Sequence, residues 1–242
     1  MTDTTHNFHI PVMGTGHSID TPIRLAHLGI TSVISIIDDI LMERLRKFYT
    51  AKYELPYDPI SSREPDGRAK RITAYLDMVQ DIVEMKMANI RALPFFEQNE
   101  KTRYFELLPD TSSLKKTYHD LMETKPGQLR DKLSQELTRR MKPGNIDVNI
   151  MVKVDNINTD KHGSPLGEEF SDAKSALRGF AKSKVESAMI FSAGINQSLY
   201  GYMTKYKDFY RDHTGDIKKK IILKVSDFRS AMIQGRYLAK KG

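Results

Sequence analysis

The chain has 242 residues, of which 39% are hydrophobic and 29% are charged, and its formal net charge is +7. It contains no cysteine, which excludes disulfides, thiolate metal sites and cysteine nucleophiles. The positive charges are dispersed along the chain, so we expect no nucleic-acid interface. The longest apolar run, residues 30–37, is far shorter than the roughly twenty residues that a membrane-spanning helix needs. Because no secretory signal is visible at its start, we expect a cytoplasmic protein that makes no membrane contact.

Two short apolar runs, separated by a helix, open the chain. The run at residues 8–13 is the first predicted strand. Thr21 and Pro22 open the helix, with Thr21 predicted as its N-cap and Pro22 at its first position. Residues 32–37 form the second predicted strand. This order is the start of a strand–helix–strand unit.

Two consecutive aspartates, Asp38 and Asp39, follow the second predicted strand. A carboxylate at a helix start accepts backbone N–H bonds and faces the positive end of the helix dipole, so we favour them as caps of a helix that extends to about residue 53. The alternative is that they bind a divalent metal or act as a base. His6 and His9 have no further ligands near them in the sequence, and we predict no metal site.

The section at residues 61–145 is predicted to be almost entirely helical. Apolar residues recur at helical spacing over residues 68–93, which predicts one long amphipathic helix. Two shorter helices are predicted near residues 114–123 and 129–141. A stretch of this length exceeds a simple crossover between neighbouring strands, so we interpret it as a helical insertion within the domain.

The rest of the chain again alternates strands with helices. Residues 146–154 alternate apolar and polar side chains, which predicts a strand with one buried face. Two further strands and three helices follow: strands at residues 187–193 and 220–225, and helices at residues 171–185, 196–210 and 227–241. In the last helix we expect Phe228, Ala231, Met232 and Leu238 to face inward.

Buried strands that alternate with helices predict an α/β fold with a parallel sheet. About five βα units suit either a TIM-type (β/α) barrel or an open doubly wound sheet. We favour the barrel, because polar or small residues follow each predicted strand and no G-x-G-x-x-G motif follows the first. A closed barrel needs eight strands, so the sequence predicts an incomplete barrel over residues 1–242. We expect that a second copy of the chain or a missing C-terminal barrel half supplies the rest, or that the chain forms an open sheet.

The segment around the first strand end carries a recognisable pattern. Residues 11–18 are Pro-Val-Met-Gly-Thr-Gly-His-Ser, a Thr-Pro pair opens the helix, and Gly29 leads into the second strand. This pattern resembles the opening unit of flavin-binding TIM barrels, in particular the nitronate monooxygenase group. The resemblance implies an FMN cofactor, with the backbone of Met13 and Gly14 against the isoalloxazine ring.

Further candidate residues follow the predicted strand ends. Gly16 lets backbone amides approach a ligand closely, and His17 is the histidine best placed for catalysis. Ser192 and Gly194 lie in a loop typical of ligand contact, although the glycine also suits a simple turn. Lys224, near the end of the fifth strand, can hydrogen-bond the electron-rich edge of a reduced flavin.

These residues lead to one functional hypothesis and two alternatives. The hypothesis is an FMN-dependent oxidoreductase-type barrel, or its N-terminal portion, that acts on a small organic substrate. The first alternative is a Schiff-base lyase or aldolase that uses Lys224. The second is a non-enzymatic binding or assembly module whose partner surface is the basic helical section at residues 61–141.

Overall fold

The computed structural model describes residues 9–10, 19–152, 155–160, 162–191 and 196–240. In these residues the strands form one parallel sheet whose order follows the chain. They are β1 (His9–Ile10), β2 (Thr31–Ile36), β3 (Ile146–Ile150), β4 (Ala188–Phe191) and β5 (Lys220–Leu223).

The sheet is open, with β1 and β5 at its two edges. A doubly wound sheet reverses its direction at a switch point, and the described strands run from β1 to β5 without a reversal. The predicted α/β class and the parallel sheet are therefore confirmed, and the doubly wound alternative is wrong. A barrel segment and an open singly wound sheet share this strand order, so the barrel itself stays a prediction.

The inner strands of the sheet are buried on both faces. Alternate side chains point toward the helices and form the main core: Ile34, Ile36, Val148, Ile150, Met189 and Phe191. The side chains between them point to the second face and are also buried: Val33, Ser35, Asp147, Asn149 and Ile190. Burial on both faces is typical of parallel strands, whereas the side chains of β5 are exposed or only half-buried.

The helices of the described residues connect the strands. They are α1 (Thr21–Leu25), α2 (Asp39–Lys52), α3 (Gly67–Ala92), α4 (Glu100–Glu106), α5 (Ser113–Glu123), α6 (Gln128–Arg140), α7 (Asp172–Lys182), α8 (Gln197–Met203) and α9 (Phe228–Ala239). None of them is both long and apolar enough to cross a membrane.

The long helix predicted at residues 68–93 is confirmed as α3, and it packs between α2 and α7. Its first half carries Ile72, Leu76 and Val79 into the main core. It approaches α7 so closely at Gly179 that a Cβ atom there would lie 2.6 Å from Cγ2 of Ile72. The first half of α3 is therefore part of the layer that covers the sheet.

The remainder of the helical section has a core of its own. The end of α3 contributes Met87 and Ile90, and α4, α5 and α6 close around them. The rings of Phe105 and Tyr118 stack at its centre, with their centroids 5.1 Å apart. Helices α5 and α6 confirm the two shorter helices predicted for this section.

The predicted cap of the first helix is wrong. Thr21 is the first residue of α1, and Asp20 occupies the N-cap position. The carboxylate of Asp20 makes no capping bond, because it accepts hydrogen bonds from the hydroxyl of Tyr49 at 2.5 Å and from Arg24 at 3.0 Å. The start of α1 is thus joined to α2 through Tyr49, while Arg24 of α1 itself holds the same carboxylate.

The inward face predicted for the last helix is wrong in part. Phe228 is 80% exposed and Met232 is 38% exposed. The side chain that α9 buries is Gln234, whose Oε1 accepts a hydrogen bond from the Tyr200 hydroxyl at 2.6 Å. Helix α9 therefore docks partly through a polar contact, and it leaves three large apolar side chains in solvent: Phe228, Met232 and Ile233.

The buried side chain of Lys219 links the start of β5 to the end of α7 by hydrogen bonds. Lys219 is 1% exposed, and its ammonium donates to the carbonyl oxygens of Phe180, Ser183 and Val185 at 2.7–2.9 Å. It also lies 4.6 Å from the centroid of the Phe180 ring. The carbonyls that follow a helix end have no partners within the helix, so this lysine supplies a donor to those of Ser183 and Val185, while the Phe180 carbonyl also accepts from Ser183.

We expect Lys219 to make stability depend on pH. Burial lowers its pKa from 10.5 to about 8, against the opposing effect of nearby carboxylates such as Asp208. Between pH 8 and pH 10.5 the lysine keeps its proton in the unfolded chain and loses it in the folded chain. The free energy of unfolding therefore rises with pH across this range, by roughly 3 kcal/mol in total. Urea titrations from pH 7.5 to 9.5 should show this rise in the wild type and a flatter profile in Lys219→Met. Parallel profiles for the two proteins would contradict it.

Candidate functional site

Most of the residues predicted for the site lie outside the described residues: Met13, Gly14, Gly16, His17, Ser192 and Gly194. In the chain they follow β1 and β4, whose last residues are Ile10 and Phe191. Lys224 is described and exposed, and its backbone N–H donates to the carbonyl oxygen of Phe191 at 3.0 Å. It therefore directly follows β5 at the carboxyl edge of the sheet.

Lys224 lies on the second face of the sheet, the one that points away from the helices. Alternation along β5 places it on the same side as Ile222, while Ile221 and Leu223 pack against the main core. The carboxyl edge of a parallel α/β sheet is where such folds bind ligands. Lys224 thus lies at this edge with an exposed side chain, and it lacks the burial that a Schiff-base lysine needs for activation.

A buried polar pair lies on the same face, on the two central strands. The side-chain amide of Asn149 on β3 donates to Oγ of Ser35 on β2 at 3.3 Å. Asn149 is fully buried, and its Oδ1 has no hydrogen-bond partner among the described residues. A buried amide oxygen without a donor is costly, so this atom is suited to accept an N–H from a bound group.

The two aspartates after β2 have different roles. Asp38 accepts hydrogen bonds from the backbone N–H groups of Ile40 and Leu41 at 2.7 and 3.3 Å, which confirms the predicted helix cap. Asp39 is buried and forms ion pairs with two arginines of α3. Nε of Arg71 lies 2.6 Å from Oδ2, and Nε of Arg68 lies 3.0 Å from Oδ1. Asp39 therefore joins the start of α2 to the start of α3.

A cavity of about 250 Å³ adjoins this ion pair, at the carboxyl edge of β2 and β3. Asp39, Arg68 and Arg71 line one side, and Asn158 and Thr159, from the loop after β3, line the other. Arg68 also pairs with Asp172 at the start of α7. Because the arginines and aspartates neutralise each other, the cavity presents hydrogen-bonding groups and little free charge.

A second arginine network joins the start of α3 to α7 near the same edge of the sheet. Arg178 of α7 makes a bidentate pair with Asp66, with N–O distances of 2.5 and 2.7 Å, and donates to the hydroxyl of Tyr202 at 2.8 Å. Burial alone would lower the pKa of Arg178, but the bonds to Asp66 and Tyr202 raise it above its ordinary value. Asp66 has a left-handed backbone (φ +53°), which Asp tolerates better than most residues.

The sequence analysis missed the arginines that build this edge. Arg71 and Arg178 stand on the helical faces of α3 and α7 as ordinary basic residues, and their partners are far away in the chain. Arg178 and Asp66 are separated by 112 positions. The one local signal is the aspartate pair after β2, and its pattern suggests a cap, a metal site or a base but no arginine partner.

Comparisons with protein-family models, with curated proteins and with solved structures find no match for this chain.

Proposed function

We propose that this chain is an FMN-dependent oxidoreductase-type βα protein, or a portion of one, that binds the cofactor at the carboxyl edge of the sheet. The observation that carries the proposal is the position of Lys224, which directly follows β5 on the face opposite the helices. The resemblance of residues 11–36 to flavin-binding barrels supports the same edge, because those residues begin directly after β1. The sequential parallel sheet is the scaffold that such a protein needs.

The described residues fit a flavin in two respects. Oδ1 of Asn149 is a buried acceptor without a donor, and a flavin ring offers an N–H group at its polar edge. The ammonium of Lys224 is exposed and suits the electron-rich edge of the reduced ring. When bound, the flavin supplies the redox chemistry, and the protein orients the ring and shifts its potential through such contacts.

The strand spacing sets the size of the ligand. Neighbouring strands lie about 4.8 Å apart, so the end of β1 is separated from the ends of β4 and β5 by roughly 14–19 Å in a flat sheet, and by less in a curved one. A ligand that contacts both the loop after β1 and Lys224 must therefore be elongated. FMN, with a tricyclic ring and a phosphorylated side chain, has that shape.

Titration of the purified chain with FMN tests the proposal. We expect the flavin absorbance bands to shift and the flavin fluorescence to change on binding. Replacing Lys224 with methionine is expected to weaken binding about tenfold or more, because a charged hydrogen bond is lost. The matched control is Lys220→Met, on the same face of β5 but at its amino end, which should bind as the wild type does.

Two results would overturn the proposal. The first is a folded chain, by circular dichroism, that leaves the FMN spectrum unchanged at high micromolar cofactor. The second is equal loss of binding in Lys224→Met and Lys220→Met, which would indicate a nonspecific effect of charge. Borohydride trapping of a carbonyl substrate on Lys224 would instead favour the Schiff-base alternative.

A further inference from the structure

A depression of about 530 Å³ lies in the helical section, away from the sheet edge described above. It is bounded by the end of α3, by α4 and by one face of α6. Its lining contains three basic side chains, one aromatic ring and three neutral polar side chains: Arg91, Lys101, Arg139, Phe95, Ser134, Gln135 and Thr138. No acidic side chain lines it.

The polar lining is organised by α6. Ser134 and Thr138 are four residues apart, and so are Gln135 and Arg139, which places all four on one face of the helix. Phe95 lies at the floor. Its ring is 5% exposed, it packs against Phe105 of the second core at 5.6 Å between centroids, and Nζ of Lys101 lies 4.0 Å from its centroid, so it offers only an edge to a ligand. The depression therefore combines a fixed apolar surface with hydroxyl, amide and cationic groups.

Among the described residues, the three cations have no carboxylate partners. Arg91 donates to the carbonyl oxygen of Met141 at 2.5 Å, and Lys101 donates to the carbonyls of Arg91 and Leu93 at 3.0 Å each. Arg139 is exposed and makes no hydrogen bond or ion pair within the described residues. Elsewhere in the fold the buried guanidinium groups of Arg71 and Arg178 are neutralised by aspartates.

The helix ends offset only part of this charge. The depression lies at the C-termini of α3 and α6, and each C-terminus carries roughly half a negative charge. Two such ends therefore compensate about one of the three positive charges. The remainder is a local positive potential beside an apolar floor, and a ligand that matches it needs a negative group attached to an apolar body.

We propose that this depression is a binding site for a small organic anion, a carboxylate or phosphate monoester with an aromatic or apolar body. The anionic group lies between Arg91 and Arg139, where planar guanidinium groups bind oxyanions. The body lies against the exposed edge of Phe95 and the aliphatic stems of Arg91 and Arg139, and the hydroxyls of Ser134 and Thr138 donate to the remaining oxygens. This site is independent of the proposed flavin site, and neither needs the other.

Calorimetric titration with phenyl phosphate tests the proposal, with phenol and inorganic phosphate as the two half-ligands. We expect phenyl phosphate to bind about tenfold or more tightly than either half-ligand, because each lacks one set of contacts. Arg139→Gln should weaken binding at least about tenfold, and Gln135→Glu, which places a carboxylate in the depression, should abolish it. Both positions are exposed, so the fold is retained.

The control variant is Arg44→Gln, an exposed arginine of α2 far from the depression, which should bind phenyl phosphate as the wild type does. Absence of phenyl phosphate binding at millimolar concentration would overturn the proposal. Equal affinity for phenyl phosphate and inorganic phosphate would also overturn it, since the apolar floor would then contribute nothing. Tighter binding of a single-stranded oligonucleotide, lost in Arg139→Gln, would assign the surface to nucleic acid instead.

Discussion

Replacing Asp39 with alanine is expected to lower the free energy of unfolding by about 3–5 kcal/mol. The carboxylate is 4% exposed and neutralises Arg71, which is 5% exposed, as well as one edge of Arg68. Its removal leaves a guanidinium charge buried without a counterion, and the desolvation of that charge is no longer offset. Chemical denaturation monitored by circular dichroism measures the loss.

Two further variants show whether burial is the cause. The exposed ion pair between Lys70 and Glu64 has an N–O distance of 2.7 Å, and Glu64→Ala should change stability by less than about 1 kcal/mol. The double variant Asp39→Ala with Arg71→Met should be less destabilised than the sum of its single changes, because no unpaired charge remains. Additive losses would show that the two residues act separately.

Replacing Gly144 with alanine is expected to cost at least about 3 kcal/mol, a large effect for one added methyl group. A Cβ atom at this position would lie 2.5 Å from the backbone nitrogen of Thr31 and closer still to the carbonyl group of Ile30. These are backbone atoms at the start of β2, and Gly144 itself donates to the carbonyl oxygen of Ala26 at 2.7 Å. The clash can be relieved only by moving the loop before β3 away from β2.

The matched control is Gly235→Ala in the middle of α9. A Cβ atom there meets nothing within 4 Å, so alanine should stabilise the helix by about 0.5–1 kcal/mol. Thermal unfolding of the two variants should therefore move in opposite directions from the wild type. A Gly144→Ala protein as stable as the wild type would show that β2 and this loop are not tightly joined.

Local elements could be predicted from the sequence because their causes are local. The spacing of Ile72, Leu76 and Val79 predicts a helix with one apolar face, and α3 begins and ends within one or two residues of the prediction. The same reasoning failed for Phe228 and Met232. Periodicity shows that a helix has an apolar face, but it does not show whether a neighbour exists to cover that face. In α9 the docking combines the hydrogen bond from Tyr200 to Gln234 with the packing of Tyr237 and Leu238 against the main core.

The candidate site could be predicted only where it depends on strand ends. The apolar run predicts the fifth strand at residues 220–225, two residues longer than β5, and it still places Lys224 near the carboxyl edge of the sheet. The pairing of Arg71 with Asp39 depends on how α2 and α3 pack, and no short-range pattern encodes that. The unpartnered Oδ1 of Asn149 is equally invisible in the sequence, since an asparagine within an apolar alternation shows nothing about its partners.

The sequential order of the strands has a consequence for how the chain acquires its structure. β4 and β5 each pair with the strand that precedes them in the chain, so a ribosome delivers these two strands in the order in which the sheet grows. The pairing of β2 with β3 is different, because Ser35 and Asn149 are separated by 114 positions. Its loop-closure entropy must be overcome before the sheet can extend. Formation of the helices between β2 and β3 shortens that loop, so we expect the rate at which they fold to limit the rate at which the sheet forms.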